Sequence, residues 1–383
     1  MERPIYLDYN ATTPVDHRVL ETMLPYFTEQ FGNASSIQHA YGWETEEAVD
    51  LAREQVAQLL NARPQEIIFT SGATEAINLA IQGYFEANAS KGTHIITCAT
   101  EHKAVLDVCV YLEKKGARVT YLDVDENGLV SLDAVQDALR DDTVLVSLML
   151  ANNETGVIQP IDEISQWLHE QDVALFVDAT QAVGKIPVDV RKSEVDLMVL
   201  SGHKMYGPKG VGALFRNKQR KTNIEPQLFG GGHERGLRSG TLNIPGIVGL
   251  GKACEIAGQE MNEEQARLQA LRDYIQKDLE QLGSVRVNGG GASRLPHVLN
   301  ISFDDIDGNK LMRSLKGVAV AQGSACNASV TKPSHVLLAM NVPESLAYAS
   351  LRISLGRYST EEDVRKASKR IRGAVEQLRL QLF

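Results

Sequence analysis

The sequence predicts an α/β fold, with a large domain on a mostly parallel mixed sheet flanked by helices and a smaller α+β domain beside it. Three observations predict it. From about residue 48 to residue 251 strand-like and helical patterns alternate, as a sheet with crossover helices requires. The strand-like runs are short and continuously apolar, which marks strands covered on both faces. After about Ala257 the pattern changes, and 383 residues are too many for one simple core.

Strands are expected at 66–70, 94–97, 118–122, 144–148, 174–177 and 196–200. Helices lie between them, for example the one starting after Pro160, which puts Ile161, Ile164, Trp167 and Leu168 on one face. Beyond residue 257 a long charged helix is expected over 263–282, followed by Gly289-Gly290-Gly291, a strand at 298–303 and a helix at 309–315. The last helix carries Val364, Ile371, Val375, Leu378 and Leu382 at helical spacing. With no internal repeat and no low-complexity linker, the two parts should pack closely.

Charged residues make up 23% of the chain and hydrophobic ones 43%, ordinary for a globular protein. A net charge of −10 argues against broad nucleic-acid binding. The N-terminal residues have no apolar core of signal-peptide length and no segment approaches a membrane span, so the cytoplasm is the expected location. The four cysteines show neither metal-ligand spacing nor a disulfide framework. Cys98, Cys109 and Cys254 have aliphatic neighbours and are expected to be buried packing residues. Cys326 instead sits in Gly323-Ser324-Ala325-Cys326-Asn327-Ala328-Ser329, a small polar run that cannot bury a thiol, and is a candidate nucleophile.

The chemistry starts at Val199-Leu200-Ser201-Gly202-His203-Lys204, an apolar strand that ends by delivering a lysine, with Asp178-Ala179-Thr180-Gln181 closing the strand before it. A strand-positioned lysine and a carboxylate at a neighbouring strand end suit pyridoxal phosphate. The lysine forms the Schiff base, and the aspartate keeps the pyridine nitrogen protonated so that the ring can accept electrons. Burial beside a cationic ring would lower the lysine's pKa. Gln181 could donate to the cofactor's phenolate. Ser71-Gly72-Ala73-Thr74-Glu75 places open backbone N–H groups at a helix start, where a phosphate is favoured, although by itself such a turn is a weak signal. His102 follows a strand and therefore sits at the ligand-binding edge of the sheet, either as a structural side chain or as one that stacks on the ring and moves protons. Asn152-Asn153 is placed in the same way. Arg352 lies within an apolar stretch and needs an anionic partner, either an internal carboxylate or that of a substrate. Residues 230–241, rich in glycine and polar groups, suggest close approach to a ligand or another subunit.

Taken in order, these motifs resemble the NifS/IscS-type cysteine desulfurases of the class V aminotransferase branch. The match includes Tyr6-Leu7-Asp8-Tyr9-Asn10-Ala11-Thr12-Thr13-Pro14, Phe69-Thr70-Ser71-Gly72-Ala73-Thr74-Glu75, Thr100-Glu101-His102, Val177-Asp178-Ala179-Thr180-Gln181, Ser201-Gly202-His203-Lys204 and Gly323-Ser324-Ala325-Cys326. The resemblance implies a homodimer of the pyridoxal-phosphate-dependent transferase fold type I. Its large domain would span residues 15–257, and its small domain residues 1–14 and 258–383 with a cysteine loop at about 323–333. It implies that Lys204 is the Schiff-base lysine, that Asp178 pairs with the pyridine nitrogen and Gln181 with the phenolate, and that His102 stacks on the ring. Ala73, Thr74, Ser201 and His203 would hold the phosphate, with Thr241 reaching it from the partner subunit. Asn153, Arg352 and Asn33 would lie near the substrate.

The implied reaction takes sulfur from L-cysteine, leaves alanine, and loads Cys326 as a persulfide for an acceptor protein. A loop of that size could swing its tip by roughly 15 Å. Scaffold-serving members run beyond the final helix, the proline common after the asparagine at position 33 is absent, and Asn327 follows the cysteine in place of a small hydroxyl residue. These departures raise a specialised acceptor, in tRNA thiolation or DNA phosphorothioation, beside iron–sulfur assembly. Rival readings are a selenocysteine lyase or aminotransferase of the same fold and, in another class, a non-catalytic pyridoxal-phosphate-fold protein that activates a partner.

Overall fold

A computed structural model describes residues 3–220, 222–322 and 333–381. Seven strands form the central sheet: β1 (Ile67–Thr70), β2 (His94–Cys98), β3 (Arg118–Leu122), β4 (Thr143–Met149), β5 (Ala174–Asp178), β6 (Leu197–Ser201) and β7 (Gly212–Arg216). Their order is β1-β7-β6-β5-β4-β2-β3. β3 to β6 pair in parallel through the sheet, and β7 runs antiparallel to both β6 and β1. Every residue of β1, β2, β4, β5 and β6 is buried, as their continuous apolar runs require. Alternate side chains feed two cores. Phe69, Val146, Val177 and Leu200 pack on one face, and Ile68, Leu145, Phe176 and Val199 on the other.

Helices cover both faces. Ala73–Ala87 and Lys103–Glu113 lie over the second face, while Ala40–Leu60 and Ile161–Glu170 lie over the first. The long helix expected from residue 263 starts much earlier, and a single 37-residue helix spans Ile244–Glu280. Its first half, where Cys254 sits in a helical pattern, is rich in glycine and alanine, which permits close contact. A Cβ on Gly251 would lie 2.6 Å from the Ala52 Cα of the helix Ala40–Leu60. The same helix contributes Ile247 and Leu250 to one core and Leu268, Ile275 and Leu279 to a third.

That third core joins Leu7 to Leu299, Ile301, Phe303, Ile353, Val364, Ile371 and Val375. It lies on an antiparallel sheet of Val285–Val287, Val298–Phe303 and Ser350–Ser354. The last helix, Glu361–Leu380, is capped by Thr360 and Asp363; Leu382 is outside the described residues. Two short strands, Ile5–Tyr6 and Val318–Ala319, pair in parallel. From there the chain crosses as an irregular strap. Tyr9 N–H donates to Ser354 O at 3.2 Å and Thr13 N–H to His203 O at 3.0 Å, so the strap links the smaller sheet to the lysine turn.

Candidate active site

β1, β2, β4, β5 and β6 all point the same way, and the segments leaving their carboxyl ends surround one cavity of about 630 Å³. It is lined by Ala73, Thr74, His102, Asn153, Asp178, Gln181, Ser201, His203, Lys204 and Arg352, which the sequence singled out. Strand direction brings them together across more than 270 residues.

Lys204 closes a short 3-10 turn after β6, and its Nζ donates to Asn10 O at 2.5 Å and Ala11 O at 2.9 Å. Asp178 is buried at the end of β5, opposite Met149 of β4, and its Oδ1 accepts from Thr180 N–H at 2.9 Å. Burial, and then the charge of Asp178, push neighbouring Glu101 well above the usual carboxylate range. Gln181 donates from Nε2 to Asn10 O at 3.1 Å. His102 caps the helix Lys103–Glu113, with its Nδ1 accepting from Ala104 N–H at 3.1 Å. Burial lowers its pKa, so the ring is neutral with its proton on Nε2.

At the other end of the cavity no side chain caps the helix Ala73–Ala87, so its first N–H groups are available to an anion. Gly72 sits at φ +150°, and a Cβ there would approach the Ser201 hydroxyl to 3.9 Å. The one acid of this turn, Glu75, is neutralised by Arg238 at 2.8 Å and accepts from Ser71 N–H. Burial, with help from Lys204 and Lys209, takes His203 down to about 4, and its Nδ1 meets Thr12 Oγ1 at 3.2 Å. An uncapped helix start, a hydroxyl, a lysine and an aspartate lining one cavity fit the phosphate, aldehyde and pyridine nitrogen of pyridoxal phosphate.

Arg352 has the internal carboxylate that was one of the two readings left open by the sequence. Its Nη2 pairs with Asp8 Oδ1 at 2.7 Å and its Nη1 donates to Asn153 O at 3.1 Å, yet it also lines the cavity. Asn33 and Thr241 are not brought into this cavity. Asn33 is exposed, with its Oδ1 accepting from Ser35 N–H at 3.0 Å, and Thr241 is exposed at the end of the glycine-rich segment. That segment is less of a surface loop than its composition suggests, because buried Glu234 binds Arg53 through two 2.8 Å bonds. Cys326 lies outside the described residues. The other cysteines are buried free thiols; burial raises Cys98 to about 11 and Cys109 to about 12, and raises Cys254 as well.

Among the lining residues that sequence reasoning did not single out are Asn10 and His335. Asn10 was visible only as part of a motif. His335, whose Nε2 lies 3.1 Å from Glu101 O, carried no signal of its own in the sequence.

Fold and site together define a pyridoxal-phosphate enzyme of the class-V aminotransferase type, and the sequence matches the class-V aminotransferase family over residues 5–366. A cysteine desulfurase IscS of Colwellia psychrerythraea (strain 34H / ATCC BAA-681) is 50% identical over 381 residues, covering 99% of this chain and 94% of the relative. A solved NifS-like protein superimposes with a TM-score of 0.91 at 41% identity, covering 98% of this chain and all of that one. The structure of SspA in complex with cysteine gives 0.80 at 38% identity, covering 93% and 99%. The chain belongs to the class-V aminotransferase family and, within it, to the NifS/IscS-type cysteine desulfurases, which depend on pyridoxal phosphate.

Proposed function

We propose that this enzyme takes sulfur from L-cysteine, releases L-alanine, and carries the sulfur on Cys326 as a persulfide until an acceptor protein collects it. The observation that carries this reading is the convergence of Lys204, Asp178 and His102 on one cavity that Arg352 also lines. Pyridoxal phosphate, when bound, supplies an electron sink for negative charge at the substrate α-carbon.

In this reading Lys204 would hold the cofactor, and its amine, placed beside the strap, would move the α-proton. Asp178 would face the pyridine nitrogen and Gln181 would donate to the phenolate. His102 would stack on the ring, presenting an Nε2 proton. The N–H groups at Ala73 and Thr74 would bind the phosphate with Ser201 and His203, and Thr241 would reach it from the second subunit. Arg352, held in place by Asp8, receives the substrate carboxylate, with Asn153 and Asn33 nearby. The Cys326 thiolate attacks the substrate sulfur. An S–S bond forms, the Cβ–S bond breaks, and its electron pair stays on carbon, where a proton completes alanine. Sulfur is oxidised and carbon reduced, with no outside oxidant.

The homodimer is supported by exposed apolar side chains near the N-terminus, Phe27, Phe31, Ile37, Tyr41 and Trp43, which a second copy would cover. Three buried free thiols suit the reducing cytoplasm, and no described helix is long and apolar enough to cross a membrane. The test is incubation of the purified holoenzyme with L-cysteine, measuring alanine and mapping persulfide by mass spectrometry. Alanine with a persulfide on Cys326 supports the reading; absence of both overturns it.

A further inference from the structure

Asn10, 1% exposed, makes contacts on every side of its residue. Its N–H donates to Ser354 Oγ at 2.9 Å and its Nδ2 donates to Asn153 O at 3.0 Å. Its carbonyl accepts from Lys204 Nζ and from Gln181 Nε2. The Asn153 carbonyl can only accept, which fixes the Asn10 amide with Nδ2 toward it and Oδ1 turned away. Oδ1 lies 3.0 Å from Nε2 of His297, so that ring nitrogen carries the hydrogen. His297 is 1% exposed, and its Nδ1 has no partner among the described residues. A buried polar atom without a partner is costly, and it is tolerated here on the side of the ring away from the strap. Burial lowers the His297 pKa well below the ordinary histidine value, with Lys185 and Arg272 adding to it, so the ring stays neutral.

We infer that His297 is a positioning residue for Lys204: it fixes the Asn10 amide, and through it the backbone carbonyl against which the lysine amine is held. His297 does not line the cavity. The inference rests on the reading in which Lys204 moves the α-proton. A carbonyl acceptor favours the charged amine, so displacing the Asn10 carbonyl changes both the position of Nζ and its readiness to give up a proton. The charged and titratable groups facing this assembly include Lys185 and Arg272 around His297, Arg352 on the Asn153 carbonyl that it shares with Asn10, and His102, His203, Lys209, His335 and Asp178 around Lys204.

The test compares holoenzyme variants His297→Leu and His297→Gln, because a glutamine amide can still donate to Asn10 Oδ1. Exchange of the α-proton of L-alanine in deuterated water reports the lysine step without any need for desulfuration. H297L is expected to exchange about tenfold more slowly, the worth of one well-made hydrogen bond, and H297Q to recover most of the rate. The pH titration of the bound cofactor's visible absorbance should shift in H297L and return in H297Q, a readout that loss of packing alone would not move. Asn10→Ala, which removes the same amide, should reproduce the H297L result and serves if H297L does not fold. Wild-type exchange and titration in H297L or N10A would overturn the inference, as would equal loss in H297L and H297Q. Wild-type enzyme that exchanges alanine but makes no persulfide would overturn the desulfurase reading and leave this inference to its own result.

Discussion

Glu234→Ala gives the sharpest test of how the glycine-rich segment is held. Glu234 has a fully buried side chain, and Arg53 is 8% exposed. Three bonds disappear in the variant, two of 2.8 Å to the Arg53 fork and one of 2.9 Å from Phe69 N–H. Arg53 keeps Ile67 O at 2.8 Å, the Phe69 ring at 4.6 Å and exposed Asp50 at 3.9 Å, but its buried guanidinium loses its close, buried carboxylate. Stranding one member of a buried pair costs about 3–5 kcal/mol. Against this, Glu234 (φ 48°) and Arg235 (φ 58°) are successive left-handed residues, each strained by roughly 1–2 kcal/mol, and part of that strain is released when the anchor goes. The net expectation is a loss of about 2–4 kcal/mol, measured by urea unfolding of the holoenzyme followed by circular dichroism. Arg53→Met with Glu234→Leu, which leaves no stranded charge, should lose less than Glu234→Ala alone. A single variant within about 1 kcal/mol of wild type, or a double variant no better than the single, would refute the argument that an unpaired buried charge sets the cost.

Cys326→Ser should keep the cofactor's absorbance but lose alanine and persulfide production, and normal turnover would remove Cys326 from the mechanism. Arg352→Ala should raise KM for L-cysteine by roughly tenfold to a hundredfold, the worth of a charged hydrogen bond at about 1.5–3 kcal/mol. Steady-state kinetics check this, and an unchanged KM would assign Arg352 to its ion pair with Asp8 alone. Burial takes His94 and His203 down to about 4 and lowers His102 and His297 as well. Neutral when folded but protonated in the unfolded chain below about pH 6.5, these rings stabilise the fold above that pH. Their contribution is lost as pH falls from about 6.5 through about 4. Thermal melts should show a falling Tm across that window, and a flat profile would contradict the assigned burial.

Much of the site could be read before any coordinates, because parallel strands write themselves as short apolar runs and their carboxyl ends are where ligands bind. Lys204, Asp178, His102 and Asn153 each follow such a run, so their shared location was legible one strand at a time. β7 was missed because it opens on Gly212, directly after the Gly207-Pro208-Lys209-Gly210 turn. A helical pattern was legible around Cys254, but the long helix was started only at residue 263; the glycines and alanines of its first half let it approach the helix Ala40–Leu60.

By itself the sequence determined the residue types and their order: a strand-delivered lysine, an aspartate at the neighbouring strand end, a glycine turn at a helix start and a cysteine in a polar run. Those properties are local, set by side-chain chemistry and by the period of a strand or helix. Tertiary structure alone decided that Arg352 is shared between Asp8 and the cavity, that Asn10 carries Lys204 on its carbonyl, and that His297 fixes Asn10 from 287 residues away. Such contacts depend on how the strap crosses from one sheet to the other, a geometry set by the packing of separate cores and written in no short stretch of the chain.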